Sequence, residues 1–232
     1  MNKTGFLDGI FVSYQGEGAL AGIRQVFIRL SLCNLKCSYC DTAAAGEIKD
    51  NFKAFGKKIY HNPVSPETVL KIVRSFCGRV HSVSLTGGEP LVQGKFAVEI
   101  AAGLKRDGFK VYLETNGTLC NPLKNILPYT DIIAMDIKLP SSSGQRGLWG
   151  KHSKFLKLAG KKAFVKIVIS DKTKPGEIER AVRTAKKAVI ILQPEYNSDI
   201  SKVIKLIDSS KVFRTGADIR LVPQIHRFMG IK

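Results

Sequence analysis

The sequence VFIRLSLCNLKCSYC, residues 26–40, joins an apolar run typical of a buried strand to three closely spaced cysteines. Three residues separate Cys33 from Cys37, and two separate Cys37 from Cys40. This spacing lets one short loop hold three thiolates around one inorganic centre, and thiolates favour iron–sulfur clusters or zinc. A structural zinc site normally takes four protein ligands, and no other cysteine or histidine lies close by in sequence. The spacing therefore favours a [4Fe–4S] cluster with one iron free for another ligand, and zinc is the main alternative.

The other cysteines and the N-terminal residues indicate in which cellular compartment the protein works. Cys77 and Cys120 stand alone and are predicted to be small apolar packing residues. An odd number of cysteines does not fit a secreted disulfide framework, and the first residues lack the apolar core of a signal peptide. No apolar run reaches the length of a membrane span. We therefore expect a cytoplasmic protein with reduced thiols.

The chain is strongly basic, with 37 Lys and Arg against 19 Asp and Glu and a net charge of +18. Such a balance suggests nucleic acid or an anionic substrate, although a solvated basic surface gives the same count. The basic residues are scattered, and no RNA-binding motif with interleaved aromatic residues is present. Nucleic-acid binding is therefore not the favoured primary function.

Strand and helix patterns alternate along all 232 residues without a linker, which predicts a single domain over residues 1–232. Apolar, β-rich runs occur at 26–32, 80–85, 110–113, 132–137, 164–169, 189–192 and 219–222. Helical patterns occur at 66–77, 95–106, 121–127, 175–187 and 199–209. Continuous apolar strands alternating with helices predict a parallel α/β sheet, either doubly wound or closed into a full or partial (β/α) barrel.

Polar clusters follow five of the predicted strands. They begin at Cys33, Thr86, Glu114, Asp136 and Gln193. Because function collects at the carboxyl ends of parallel strands, the coincidence predicts a small-molecule site on one rim. Two segments are not placed by these patterns. The connection 43–63 fits either a lid or a local hairpin, and the polar loop 141–147 has no assigned role.

The segment Thr86-Gly87-Gly88-Glu89-Pro90 places two glycines just past a strand, where a ligand can approach the backbone closely. Glu89 is then a candidate partner for a cationic amino group. A phosphate-binding loop is disfavoured because no Lys-Ser/Thr pair follows. Glu114 and Asn116, after the next strand, are candidates for holding ribose hydroxyls.

Together, the CxxxCxxC loop, the aromatic Tyr39 before its last cysteine and the Gly-Gly-Glu-Pro segment resemble the radical S-adenosylmethionine (radical SAM) superfamily. The resemblance implies a partial (β/α) barrel, a [4Fe–4S] cluster and S-adenosylmethionine bound at the free iron. Within the superfamily, the chain resembles the 7-carboxy-7-deazaguanine synthases. That likeness rests on FVSYQGEG at 11–18, FIRL at 27–30, Cys-Asp-Thr at 40–42 and Pro-Gln-Ile-His at 223–226.

The resemblance implies a radical ring contraction. Reductive cleavage of S-adenosylmethionine gives a 5′-deoxyadenosyl radical, which removes a hydrogen from C6 of 6-carboxy-5,6,7,8-tetrahydropterin. The ring contracts, the hydrogen returns and ammonia is lost, which gives 7-carboxy-7-deazaguanine for queuosine- or archaeosine-type biosynthesis. In such a reaction the cofactor supplies the difficult chemistry, while the protein positions and shields the reactants.

The resemblance also assigns roles by position. The expected catalytic residues are Cys33, Cys37, Cys40, Arg29 and Thr42, with the cysteines on the cluster and Thr42 on Mg²⁺. The residues expected around S-adenosylmethionine are Tyr39, Cys40, Asp41, Gly88, Glu89, Glu114, Asn116, Asp136, Ile137, Lys138 and Gln193. Those expected to face the pterin are Tyr14, Gln15, Gly16, Arg29, Thr86 and His226. Arg29 suits the substrate carboxylate because its guanidinium is a planar fork.

The same resemblance implies a homodimer and an electron donor such as flavodoxin or ferredoxin, with no need for nucleic acid or a membrane. Two other functions stay open at this point. A radical SAM activase has the same cluster and size but forms a glycyl radical on a partner protein. A zinc-containing, basic RNA-binding module would explain the cysteines and the charge without any radical chemistry.

Overall fold

The computed structural model describes residues 4–40, 42, 46–56 and 58–231. Its strands form one ten-stranded sheet in the order β10-β9-β8-β7-β6-β5-β2-β1-β3-β4. The strands are β1 (Leu7–Tyr14), β2 (Arg24–Leu30), β3 (Asn51–Ala54), β4 (Lys58–His61), β5 (Ser82–Gly87), β6 (Val111–Thr115), β7 (Ile132–Asp136), β8 (Ala163–Ile169), β9 (Ile190–Pro194) and β10 (Ile219–Leu221).

Seven neighbouring strands, β2 and β5 to β10, are parallel and lie in chain order. Because each strand is added on the same side of the last, right-handed crossovers place the connecting helices on one face of the sheet. The other face is left for a site. β4 and β10 are the two ends of the sheet, so the barrel is partial, as predicted.

The eight helices assigned within the described residues are α1 (Pro66–Arg74), α2 (Gly94–Arg106), α3 (Cys120–Ile126), α4 (Pro140–Ser143), α5 (Trp149–Ala159), α6 (Pro175–Ala185), α7 (Ile200–Ser209) and α8 (Ile225–Met229). All seven predicted strands and all five predicted helices are present, with shifted ends. In α1, the Ser65 side chain accepts a hydrogen bond from the Thr68 N–H, and Pro66 occupies the first turn, where its missing N–H costs nothing.

The predicted C-terminal end of the first helix is wrong. The helix predicted at 66–77 ends at Arg74, and the Ser75 hydroxyl donates to the Ile72 carbonyl at 2.7 Å. Cys77 therefore lies beyond the buried face of the helix and is exposed, so the prediction that it packs in the core is wrong. Cys120 is half-buried and packs against the core.

The N-terminal strand β1 was not predicted and extends the sheet beyond β2. It pairs antiparallel with β2, from Leu7 opposite Leu30 to Tyr14 opposite Arg24, and parallel with β3. The hairpin formed by β3 and β4 completes this end of the sheet. In the described part of the 43–63 connection, the chain thus adopts the local hairpin and joins the sheet.

Alternation along the strands separates the core from the site. On β2, Ile28 and Leu30 are fully buried in the main core cluster, whereas Phe27 and Arg29 line a cavity on the opposite face. The buried residues of this core cluster come from nearly the whole length of the chain, the first being Leu7 and the last Val212. No helix within the described residues is both long enough and apolar enough to cross a membrane.

Candidate active site

A cavity opens at the carboxyl ends of the parallel strands and brings most of the predicted residues together. The predicted residues that line it are Tyr14, Gln15, Gly16, Arg29, Cys33, Cys37, Tyr39, Cys40, Thr42, Thr86, Gly88, Glu114, Asn116, Asp136, Lys138 and His226. Three predicted residues do not line it. Glu89, Ile137 and Gln193 are fully buried behind the cavity wall. Asp41 lies outside the described residues.

The cysteine loop presents alternate residues to the cavity. Cys33, Leu35, Cys37 and Tyr39 line it, whereas Asn34, Lys36 and Ser38 do not. Burial raises the pKa of the Cys33 thiol and raises that of Cys37 to about 11. Both thiols are therefore protonated at neutral pH unless a metal displaces the proton.

The three cysteines line the same cavity, as the protein ligands of one cluster must. Within the described residues, no three His, Cys, Asp or Glu side chains are grouped as the ligands of a single metal ion. A cubane cluster takes each thiolate at a different iron corner, so its ligands are spread around a larger body. The three cysteines on one cavity wall fit that requirement.

The glycine segment after β5 lies directly against the start of the cysteine loop. The Gly88 and Glu89 N–H groups donate to the Leu30 and Leu32 carbonyls at 3.1 and 2.8 Å. A Cβ atom at Gly88 would lie 2.2 Å from the Leu32 carbonyl oxygen and 3.1 Å from the Cys33 Cβ. Only glycine permits this approach, which explains the residue type that the sequence showed.

Glu89 connects the ends of β5 and β6. Its carboxylate accepts hydrogen bonds from the Asn116 N–H at 2.6 Å, the Thr115 hydroxyl at 2.9 Å and the Leu91 N–H at 3.1 Å. Burial raises the pKa of Glu89 to about 7, although these hydrogen bonds favour the charged form. In this structure the side chain faces backbone donors of the loop and not the cavity.

Asn116 is similarly engaged by its neighbours. Its Nδ2 donates to Asn34 Oδ1 at 2.8 Å, while Asn34 Nδ2 donates to Thr118 Oγ1 at 2.9 Å. The Thr118 hydroxyl donates in turn to Asn116 Oδ1 at 2.6 Å, which closes a ring of three side chains. The ring ties the cysteine loop to the end of β6. From α5, His152 reaches the Asn116 carbonyl oxygen through Nε2 at 3.2 Å.

Four charged residues of alternating sign form a buried chain across the cavity floor. Asp136 lies 2.8 Å from Lys138 Nζ and 3.2 Å from Lys166 Nζ, and Lys166 also pairs with Glu17. Burial disfavours the charged form of Asp136, but Lys138 and Lys166 outweigh it and lower its pKa. Lys138 Nζ also lies over the Tyr39 ring, 5.1 Å from its centroid. Burial disfavours the charged forms of Lys138 and Lys166 as well, but their acidic neighbours outweigh it and raise both pKa values, so Asp136, Lys138 and Lys166 are charged at neutral pH.

The prediction missed Glu17 and Lys166, which both line the cavity. Glu17 belongs to the quoted Gln-Gly-Glu-Gly segment, and its carboxylate accepts from Gln193 Nε2 at 3.0 Å and Gln224 Nε2 at 2.8 Å. Lys166 is a lone charge inside the apolar strand AFVKIVI. A lysine at such a position requires a buried partner, and that signal could have revealed it.

The other half of the cavity carries a second polar network. Glu114 accepts hydrogen bonds from Gln15 Nε2 at 2.8 Å, Thr86 Oγ1 at 3.0 Å and Ser84 Oγ at 3.2 Å. Glu114 thus lies with the residues predicted to face the pterin. His226 is next to Gly16, where a Cβ atom would lie 2.3 Å from the imidazole Nδ1.

Arg29 is the cation of this half of the cavity. Its guanidinium lies over the Phe11 ring, 4.9 Å from the centroid, and Phe11 stacks on Phe27 at 5.2 Å. Its buried Nε has no hydrogen-bond partner among the described residues. A partly buried guanidinium with an unused donor is suited to a carboxylate ligand.

Comparisons with known proteins agree with this geometry. Residues 28–207 match the Radical SAM superfamily model. A 7-carboxy-7-deazaguanine synthase of Geobacter sulfurreducens is 39% identical over 249 residues, covering 99% of this chain and 99% of that protein. The same-named protein of Archaeoglobus fulgidus is 36% identical, covering 96% and 97%. The crystal structure of QueE from Escherichia coli has a TM-score of 0.69 and 25% identity, and the match covers 96% of this chain and 95% of that one.

The family implies a [4Fe–4S] cluster and S-adenosylmethionine, and the three cysteines on one cavity wall fit the cluster. The matches extend over nearly the whole chain. They therefore include the N-terminal strand as well as the parallel sheet. The chain therefore belongs to the radical SAM superfamily and, within it, to the 7-carboxy-7-deazaguanine synthase family.

Proposed function

We propose that this chain converts 6-carboxy-5,6,7,8-tetrahydropterin to 7-carboxy-7-deazaguanine with loss of ammonia, in queuosine- or archaeosine-type 7-deazapurine biosynthesis. The observation that carries the proposal is Arg29, which lines the same cavity as the three cysteines and whose buried Nε has no partner in the described part of the chain. A substrate whose carboxylate pairs with Arg29 is held within the cavity that the cysteine sulfurs also line. The names of the full-length relatives support the same reaction.

Cys33, Cys37 and Cys40 would hold the cluster, and Gly88, Tyr39 and the Asp136–Lys138 pair border the space for S-adenosylmethionine. When bound, the cluster supplies the electron that cleaves S-adenosylmethionine and starts the radical reaction. Gly88 leaves the backbone open to close approach, while the fixed charges of Asp136 and Lys138 offer partners of both signs. Their role is to orient the cofactor without reorganisation.

The pterin side of the cavity supplies mixed hydrogen-bonding groups. Gln15, Thr86 and Glu114 are already joined in one network, so their positions are set before the substrate arrives. Glu114 offers acceptor lone pairs and Gln15 an amide, which match the mixed edges of a pterin. Arg29 fixes the carboxylate end by two parallel hydrogen bonds.

Several finer features belong to the proposal. Thr42 lines the cavity and would ligate Mg²⁺ together with the substrate carboxylate, since Mg²⁺ prefers oxygen ligands and retains waters. We further propose a homodimer and a flavodoxin or ferredoxin as the electron donor. Since the cluster requires a reducing compartment, the cytoplasm is the proposed location.

The test is anaerobic turnover by the purified protein after cluster reconstitution, with dithionite, S-adenosylmethionine and the carboxylated tetrahydropterin. We expect mass spectrometry to detect 7-carboxy-7-deazaguanine and release of ammonia. Cleavage of S-adenosylmethionine with the pterin left intact would exclude the proposed reaction. Activity that requires a partner protein bearing a glycyl-radical site would establish the activase instead.

A further inference from the structure

Half of the net positive charge lies in a short part of the chain. Residues 138–176 contain ten lysines or arginines and one acidic residue, Asp171, for a net charge of +9 out of +18. Lys138 and Lys166 account for two of these charges and are paired in the cavity. The other eight are exposed. The high net charge of this stretch reflects the near absence of acidic residues, and the cavity uses only two of its ten cations.

The segment 140–147, which begins this basic region, lies against the outer side of the cysteine loop. The Ser38 N–H donates to the Ser143 carbonyl at 3.0 Å, and the Ser38 hydroxyl donates to the Ser142 carbonyl at 2.7 Å. The Gln145 side chain donates to the Lys36 carbonyl. Lys36 and Ser38, on either side of Cys37, thus contact this segment, while the cysteines line the cavity.

The segment is joined in turn to the start of α6. The Ser141 hydroxyl donates to Glu177 at 2.7 Å and accepts from the Lys174 N–H at 3.1 Å. The Ser141 N–H also donates to Glu177 at 3.0 Å, so this carboxylate is already engaged by the segment. A continuous surface therefore runs from the cysteine loop across 140–147 to the start of α6.

Four exposed cations belong to the parts of the chain that form this surface, and we call them the basic rim. They are Lys36, Arg146, Lys172 and Lys174. None of the four forms an ion pair with another described residue. Asp171 is the one exposed acidic residue within the 138–176 region. Unpaired like charges repel one another, so their grouping favours a negatively charged partner.

We propose that the basic rim is the docking surface for an acidic electron-transfer protein. This inference rests on the proposed function, because that reaction needs an external electron. In the docked complex the partner loses one electron and the cluster gains it, with no transfer of atoms. The rim suits this role because its hydrogen-bonded segment contacts the residues on either side of Cys37, outside the cavity that substrate and cofactor occupy.

Charge complementarity identifies the class of partner. Opposite surface charges steer two proteins into contact and raise the association rate by one to three orders of magnitude at low salt. An electron-transfer complex needs fast association and release more than high affinity, which a polar, charged surface supplies. RNA is the competing polyanion. The location of the rim beside the cluster loop favours the electron donor, and RNA is kept as an outcome of the test.

The experiment uses the anaerobic holoenzyme and an acidic flavodoxin as the probe. The test variant combines Arg146→Glu and Lys174→Glu. The control combines Lys157→Glu and Lys161→Glu, which make the same change in charge at the exposed C-terminal end of α5 and just after it, on the opposite rim of the sheet. Stopped-flow absorbance gives the second-order rate constant for cluster reduction by reduced flavodoxin, and calorimetry gives the affinity for the oxidised form. Iron content and circular dichroism verify that both variants are folded and loaded.

We expect the test variant to lose about tenfold or more in the rate constant and in affinity at low salt, and the control to change by less than about twofold. The difference shrinks at high salt because exposed charges are screened. Reduction by dithionite stays the same in all three proteins. Equal losses in test and control variants, or no loss in the test variant, would overturn the docking surface.

Two further outcomes separate the alternatives. If transfer RNA binds with a salt-dependent affinity that the test variant loses, while flavodoxin binding is unchanged, the rim is an RNA surface and the proposal is wrong. If wild-type protein reduced by dithionite leaves the pterin untouched, the proposed function fails. In that case, flavodoxin that binds the wild type but not the test variant would still support the docking surface, although the proposed reaction would be wrong.

Discussion

Arg29 is the residue on which the proposed choice of substrate rests. It occupies an inward position on β2, covered by the Phe11 ring and open to the cavity that also holds the cysteines. Partial burial strengthens any charge-assisted hydrogen bond that it makes. A lysine at the same position would keep the charge but lose the planar fork.

We therefore predict that Arg29→Ala and Arg29→Lys both raise the KM for the pterin, by roughly ten- to hundredfold, since a hydrogen bond to a charged group contributes about 1.5–3 kcal/mol. The effect on kcat is smaller, and the affinity for S-adenosylmethionine stays within about twofold. Steady-state kinetics and equilibrium binding of the cofactor measure the two quantities. An unchanged KM in both variants would return Arg29 to a packing role.

His152 is a residue whose importance lies in stability. It is fully buried, and its Nε2 contacts the Asn116 carbonyl oxygen while its buried Nδ1 has no partner among the described residues. Burial lowers its pKa from 6.5 to about 4. Between these pH values the unfolded chain binds a proton that the native state does not, so stability falls as the pH is lowered.

The predicted loss in the free energy of unfolding between pH 7.5 and 5.5 is roughly 1 kcal/mol from His152 alone. The variant His152→Gln keeps an N–H donor for Asn116 but does not titrate, so its stability should fall less over the same range. Urea unfolding at both pH values gives the comparison. If the two proteins lose equal stability on acidification, His152 does not titrate as described.

At the scale of elements, the site depends on how closely the turn after β5 meets the loop after β2. Gly88 is the contact, because a Cβ atom there would lie 2.2 Å from the Leu32 carbonyl oxygen. Leu32 itself has a φ of 73°, a strained value for a branched residue. The backbone at this junction therefore has little freedom to accommodate a larger residue.

We predict that Gly88→Ala shifts the cysteine loop and weakens binding of S-adenosylmethionine at least tenfold, since backbone and not a flexible side chain must move. Gly150→Ala on α5 is the matched control, because nothing lies within 4 Å of the position that a Cβ atom would take there and alanine favours helix by roughly 0.5–1 kcal/mol. Cofactor binding and thermal unfolding measure the pair. Wild-type affinity in Gly88→Ala would contradict the close junction.

The parallel sheet was predictable from sequence because each of its strands is an apolar run, and five of the seven are followed by a polar cluster. Strand β1 was not, since its sequence LDGIFVSY mixes Asp8 and Gly9 into the run and it pairs antiparallel. Helix α5 was also missed. Its sequence WGKHSKFLKLA contains Gly150 and three lysines, and its formation depends on burial of residues such as Phe155 and His152.

Within the site, the sequence identified the residues that belong to short motifs and missed those that act through tertiary pairing. The partners of Lys166 are Glu17 and Asp136, which lie far from it in the chain, so its place in the site depends on the tertiary fold. Conversely, Gln193 and Glu89 belong to polar strand ends but are buried behind the cavity wall, where they bond to Glu17 and to the β6 turn. A position at the end of a strand predicts that a residue lies at the edge of the sheet near the cavity. The packing of its side chain decides whether its atoms line that cavity.

For the whole molecule, one face of the sheet carries the helices and the other carries the cavity, because the parallel strands add in one direction. The cavity is lined by the three cysteines, by the charged chain Lys138–Asp136–Lys166–Glu17 and by Arg29. The exposed cations of the basic rim lie outside it. In the two proposals above, small molecules bind in the cavity and an electron arrives from the basic rim.

The central claim is that Cys33, Cys37 and Cys40 hold one [4Fe–4S] cluster with an iron open to S-adenosylmethionine. The most direct measurement is the iron and sulfide content of the anaerobically reconstituted protein, together with the EPR spectrum after reduction. We predict about four irons and four sulfides per chain, a reduced-cluster signal that changes on addition of S-adenosylmethionine, and loss of both in Cys37→Ala but not in Cys77→Ala. A colourless protein that contains zinc and neither iron nor sulfide would contradict the account.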